Sequence, residues 1–378
     1  MTSGLPDSEF TSINNLLQIF DHTTNSYKYL FFLSLLEQIQ AHVGEDAPRL
    51  QVRTLIEGAL ALAWYPHSYF KLSFGSQDQI GRILSTTSLP LDAGTAKLTP
   101  LDLDTVRAAI RQELSAAHYK RLARWVQFRL LTPWFQDELR GLNDTQKNQA
   151  LARLSRSHFH ANTPLYRLES DAGDEVQLHP DWVAYIRRNQ VPLRDWTLWQ
   201  FLHYMQARNP AVPNVAGKLR PPQERASLHR QRTYWTSVID AGKVTCVFTG
   251  QPLTTLDALD HFLPWSFVLH DRLWNLVPIT TAVNSAKRDR LPDRSFLPRL
   301  ASVHADALTA AQGLMPSRAW QAIALEYVDD LRLPMDEVRG AVTEPQVLQK
   351  MMLSGYERVV DPLLQLADHQ GFVAGWMP

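Results

Sequence analysis

The amino-acid sequence predicts a mainly α-helical protein with a small α+β module in its C-terminal half. Three observations carry this. Apolar residues recur at helical spacing through most of the chain. A proline-dense stretch, residues 209–222, interrupts that pattern and cannot form one continuous helix. Beyond it, residues 246–248 and 259–262 are short β-type runs bounded by turn residues, and helical periodicity returns on either side.

With 378 residues the chain has room for two domains. The proline-dense stretch divides it into a helical domain over 1–215 and a second domain over 216–378, whose core motif spans 245–292. Hydrophobic residues make up 45% and charged residues 20%, a composition that folds throughout. Lys plus Arg and Asp plus Glu balance at 38 each, so affinity for a polyanion has to come from local patches. Cys246, the single cysteine, excludes an internal disulfide and a zinc site of paired thiolates within one chain, and it suits a reducing compartment. The opening MTSGLPDSEF lacks the basic start and apolar run of a secretory signal. The most apolar stretch, 29–36, is too short to span a bilayer. The expectation is a soluble cytoplasmic protein with no membrane partner.

Residues 12–42 read as two packed helices, joined at 21–26 where Asp, Thr, Asn and Ser supply capping side chains. A third, largely buried helix is expected at 50–65, then loops with a short helix over 77–101. One long helix is predicted over 103–131. Its apolar positions include Val106, Ile110, Leu114 and Trp125, and its Arg107, Arg111, Lys120, Arg121, Arg124 and Arg129 form either a solvated face or a phosphate-contact surface. Residues 144–208 hold two or three helices and a strand pair, 166–168 with 176–178, around the turn at 171–174. Trp182, Trp196 and Trp199 are expected to pack in the core. A helix at 224–239 carries Arg225, Arg230 and Arg232, and with Lys218 and Arg220 makes a basic approach to the core motif. Helices at 296–311, 317–331 and 343–369 surround the module.

The residues that carry chemistry lie between 245 and 292. Asp260 and His261 are adjacent and followed by Pro264, Asn275 stands in a Trp-Asn-Leu-Val-Pro run, and Asn284 opens Asn-Ser-Ala-Lys-Arg. This ordered set resembles the HNH endonucleases in the variant whose last motif residue is asparagine, and is similar to the HNH module of the RNA-guided CRISPR nuclease. The resemblance implies a ββα-metal fold, with strands at 246–248 and 259–262, a helix at 281–288 across them and the 265–278 segment as a loop. An imidazole is the side chain best suited to take a proton from water near neutral pH, which makes His261 the expected general base. Asp260 and Asn284 offer hard oxygen ligands for one Mg²⁺ or Mn²⁺ ion. Adjacent side chains on a strand point to opposite faces, so Asp260 and His261 reach one phosphate only where the strand ends or bulges.

Asn275 is expected to hold the loop, and the resemblance adds that it orients His261 rather than binding metal. Lys287 and Arg288 follow Asn284, where either can reach a scissile or neighbouring phosphate, Lys287 being preferred because it stands at the family position; Asn284 could alternatively serve as a helix cap. His270 and Asp257 lie off the motif. Many HNH proteins staple the module with two Cys-x-x-Cys pairs on a structural zinc, and with Cys246 alone such a zinc is not expected. Residues 20–28 (FDHTTNSYK) and 208–213 (RNPAVP) look like segments of bacterial HNH proteins from phage-defence loci. The resemblance therefore implies DNA as substrate, other defence-system subunits as partners and a recognition or docking role for the first domain. An RNA or structured single-strand nuclease, and an inactive DNA-binding or scaffolding subunit, are the competing readings.

Overall fold

A computed structural model of the protein describes residues 4–87, 102–222 and 226–378. Residues 88–101 of the expected loop segment, and positions 224 and 225 at the start of the expected helix, lie outside the described residues. The chain forms two compact units. The first comprises the described residues up to 210 together with 215–221, and the second comprises 211–214, 222 and 226–378.

In the first unit the order is α1 (Ile13–Leu17), α2 (Tyr27–Ala41), β1 (Arg49–Gln51), α3 (Val52–Trp64), α4 (Gln79–Thr86), α5 (Leu103–Glu113), α6 (Ala116–Leu122), α7 (Val126–Arg129), α8 (Asp144–Ser157), β2 (Tyr166–Leu168), β3 (Glu175–Leu178), α9 (Pro180–Arg188) and α10 (Gln190–Arg208). β2 and β3 are the expected strand pair, and β1, which the periodicity did not signal, adds on the other side of β3. α2 and α3 pack closely because Gly58 faces Ser34; a Cβ there would sit 2.2 Å from the Ser34 hydroxyl.

The single helix expected over 103–131 is three helices. Leu114 turns extended (ψ 102°), and Ser115 caps the next helix by accepting from the His118 N–H, so hydroxyl capping competes with helix continuation. The arginines on this stretch are largely engaged: Arg107 with Glu37 and Asp104, Arg111 with Glu57, and Arg129 with Asp144. Trp182 is buried as expected, whereas Trp199 is exposed on α10. No helix among the described residues is long and apolar enough to cross a membrane.

The second unit runs α11 (His229–Asp240), β4 (Ala258–His261), α12 (Trp265–Val268), β5 (Leu276–Ile279), α13 (Thr281–Lys287), α14 (Leu297–Leu314), α15 (Ser317–Leu331), α16 (Met335–Ala341) and α17 (Pro345–His369). The small β4–β5 sheet with α13 sits among α11 and α14 to α17, whose apolar faces share one core with it. The C-terminal segment returns to close the module. Leu291 N–H donates to the Val373 carbonyl (2.8 Å) and Trp376 N–H to the Leu291 carbonyl (2.9 Å), while the Trp376 ring meets Phe248 edge-on.

The core of this unit contains His304, which shares a 2.8 Å hydrogen bond with the Tyr327 hydroxyl. Burial pushes its pKa down to about 3. The unfolded chain protonates this residue below about 6.5 while the folded unit does not, so stability is lost as pH falls from there towards the folded value. The expected slope is up to about 1.4 kcal/mol per pH unit for this group. Urea unfolding of wild type and His304→Gln between pH 7 and 4 should show the slope in the first and a flatter profile in the second.

Candidate active site

β4 and β5 pair antiparallel with Ala258 opposite Ile279, Leu259 opposite Pro278, Asp260 opposite Val277 and His261 opposite Leu276. The partner of β4 differs from the expected one. Residues 246–248 form no strand because the chain there closes into a tight knuckle: Cys246 N–H donates to the Gln251 carbonyl and Gly250 N–H to the Cys246 carbonyl, both at 2.8 Å, with Gly250 at φ +73°. The strand that pairs with β4, residues 276–279, begins inside the segment expected as a loop (265–278).

β4 ends at His261 for a local reason. The Phe262 N–H makes one more bond, to the Asn275 carbonyl (2.7 Å). Asn275, fully buried, then accepts from the Leu263 N–H (2.8 Å) and donates through Nδ2 to the Leu263 carbonyl (2.9 Å). A side-chain amide thus takes the place of the next peptide, satisfies both backbone groups of Leu263 and turns the chain into Pro264 and α12. Asn275 holds the loop, as expected, and reaches His261 only through the backbone.

α13 begins at Thr280, whose hydroxyl accepts from the Val283 N–H; Thr280, not Asn284, is the cap. The helix lays Lys287 against β4. Its ammonium is fully buried, donates to the His261 carbonyl (2.8 Å) and lies 2.9 Å from Asp260 Oδ2. Lys287 is therefore spent inside the module. The phosphate contact expected of it does not fit, because its ammonium is buried against the Asp260 carboxylate and the His261 carbonyl. Asn284 is half-buried one helical turn before Lys287, which puts it on the same face. Arg288 is exposed, and its backbone is held at φ +53°, ψ −129°, a strained conformation for a side-chain-bearing residue.

The His261 ring is turned away from this pair. Its Nε2–H donates to Asp271 Oδ1 at 2.8 Å. Sequence reasoning missed Asp271. Its only signal in the sequence is a carboxylate within the segment between the two strands, and Asp257 gives the same signal just before β4. Next to it, His270 packs on Trp274 (ring centroids 5.2 Å), and burial pushes its pKa down to about 4. The basic approach read at 218–232 is mostly absorbed by local partners: Lys218 is buried, Arg220 pairs with Asp195 and Arg230 with Glu326.

By donor chemistry, Asp260 and Asn284 are the residues that would hold a divalent cation here. Oδ2 of Asp260 is buried and accepts no hydrogen bond of ordinary geometry; Lys287 meets it as a charge. A carboxylate and an amide oxygen are hard donors of the type Mg²⁺ or Mn²⁺ selects. Among the described residues no group of three or more His, Cys, Asp and Glu side chains is placed to hold a metal, so a site here would rest on Asp260, Asn284 and oxygens from substrate and water.

An antiparallel strand pair with a short helix against it, Asp260 and His261 at the strand end and Asn284 on the helix, has the outline of a ββα module. Residues 246–293 match the family model described as HNH endonuclease, and this segment is an HNH module. No curated protein and no solved structure matches the chain. α11 and α14 to α17 lie outside the matched residues.

Lys287 and its neighbour should respond to substitution with opposite signs. Lys287→Ala leaves Asp260 Oδ2 and the His261 carbonyl buried without a partner and should cost about 3 kcal/mol. Arg288→Gly relieves the positive φ and should stabilise by about 1 kcal/mol. Urea unfolding at neutral pH measures both; a neutral Lys287→Ala would contradict the burial of this ion pair.

Proposed function

We propose that the protein is an endonuclease hydrolysing DNA phosphodiester bonds with one Mg²⁺ or Mn²⁺ ion. The observation that carries this is the end of β4, where the Asn275 clamp stops the strand just after Asp260 and His261, and Lys287 ties both residues to the helix that bears Asn284. A nuclease module takes nucleic acid as substrate. Duplex DNA is favoured by the resemblance of the motif, with RNA as the rival that a cleavage assay distinguishes.

His261 takes a proton from water through its second ring nitrogen, Nδ1, while the water oxygen attacks phosphorus and the P–O3′ bond breaks. The Lys287 ammonium holds Asp260 in place and neutralises part of its charge. When bound at Asp260 and Asn284, the cation supplies charge stabilisation at the non-bridging oxygen and at the departing 3′ oxygen. Exposed Arg288 is the cation left to meet a neighbouring phosphate. One such site attacks one strand per event, so nicking is the expected product. The first unit, with Val191 and Trp199 exposed on α10, serves recognition or docking. The FDHTTNSYK and RNPAVP segments support a role in bacterial defence against foreign DNA alongside other subunits.

A plasmid-relaxation assay with Mg²⁺ or Mn²⁺ tests the reading. Wild type should nick the plasmid and stop in EDTA. His261→Ala should be slower by about 10²–10⁴-fold, Asn284→Ala should lose metal-dependent turnover, and matched RNA should be spared. Full activity in His261→Ala would remove the mechanism, and preferential RNA cleavage would change the substrate.

A further inference from the structure

The loop between α12 and β5 is held far more firmly than a connection of its length requires. It opens at Leu269, which sits in the left-handed region (φ +56°). Residues 271–274 are each tied to a helix outside the HNH match. The Asp271 carbonyl accepts from Gln231 Nε2 on α11 (3.0 Å). Leu273 N–H donates to buried Glu326 on α15 (3.0 Å), which Arg230 on α11 holds at 2.8 Å. Trp274 Nε1–H donates to Asp330 on α15 (2.7 Å), and Arg272 lies 3.4 Å from the same carboxylate. The Tyr356 hydroxyl on α17 donates to the Trp274 carbonyl (3.0 Å). Asp271, carried by this scaffold, lies 2.8 Å from His261 Nε2, with side-chain exposures of 18% and 7%.

We propose that Asp271 is the positioning residue of the His261 base, and that α11 and α15 hold it there. An imidazole carries one proton on either of two nitrogens, and the group bonded to one decides which is free. A carboxylate accepting from Nε2–H fixes the proton on Nε2, leaves the Nδ1 lone pair for water, and stops the ring from rotating about its χ2 axis. Asn275 cannot do this, because both polar atoms of its side chain are spent on Leu263. Orientation of the base therefore comes from Asp271, on a loop that Glu326 and Asp330, both outside the matched segment, hold down.

The proposal rests on the nuclease reading for its catalytic meaning but not for its geometry, and two readouts separate these. The first is the tautomer of His261 in the full-length protein, from long-range ¹H–¹⁵N spectra of ¹⁵N-histidine-labelled material at one alkaline pH, with His261→Ala identifying the resonance. Wild type should show the Nε2–H form. Asp271→Asn, which keeps the shape but can donate, should shift the ring towards Nδ1–H. The second is plasmid nicking: Asp271→Asn should lower kcat about a hundredfold with KM within twofold, and Glu326→Gln, which loosens the loop but leaves Asp271 in place, should give a loss of about tenfold. An unchanged tautomer in Asp271→Asn overturns the proposal, as does a changed tautomer with unchanged kcat. Should wild type cut no nucleic acid, the nuclease reading falls alone, and the spectra still decide whether Asp271 sets the ring.

Discussion

Everything at the site depends on one buried amide. Asn275 replaces a peptide unit beside Leu263, and by doing so it ends β4 immediately after His261. Adjacent strand residues ordinarily diverge to opposite faces. Ending the ladder there lets Asp260 meet α13 through Lys287 while His261 turns its ring to Asp271. A hydrogen-bonded amide inside an apolar core costs little as long as both its ends are matched, and here both are matched by the same residue.

The knuckle at 246–250 carries one cysteine, Cys246, and so has no pair of thiolates to staple it. Arg299 on α14 holds it instead, donating to the carbonyls of Val247 and Phe248 at 3.1 and 3.0 Å. Phe248 in turn stacks on Phe262 just past β4 and meets Phe296 and Trp376 edge-on. A guanidinium and an aromatic cluster do the stapling, so the helices around the module are part of its architecture rather than an appendage.

Much of this is legible in the sequence, and the remainder is not for identifiable reasons. The roles of Asp260, His261 and Asn284 can be proposed because the chemistry demands residue types at an ordered spacing. The β4 partner is misread because Cys246-Val-Phe is apolar and β-prone, while the true partner contains Pro278, which argues against a strand in any propensity reading. Lys287 looks like a surface cation since sequence carries no sign of burial. Asp271 stays hidden because its role is created by tertiary contacts from Gln231, Glu326 and Asp330, far away in the chain. At Ser115 a local cap defeats a long-range periodicity, and α16 is short enough to pass unnoticed.

The return of the tail onto Leu291 and Asp293 has a consequence for biosynthesis. A polypeptide emerges from its N-terminus, so the segment bearing Trp376 cannot dock beside Phe248 until α14 to α17 have been made. Until then the HNH module is left with an unfinished wall beside Phe248.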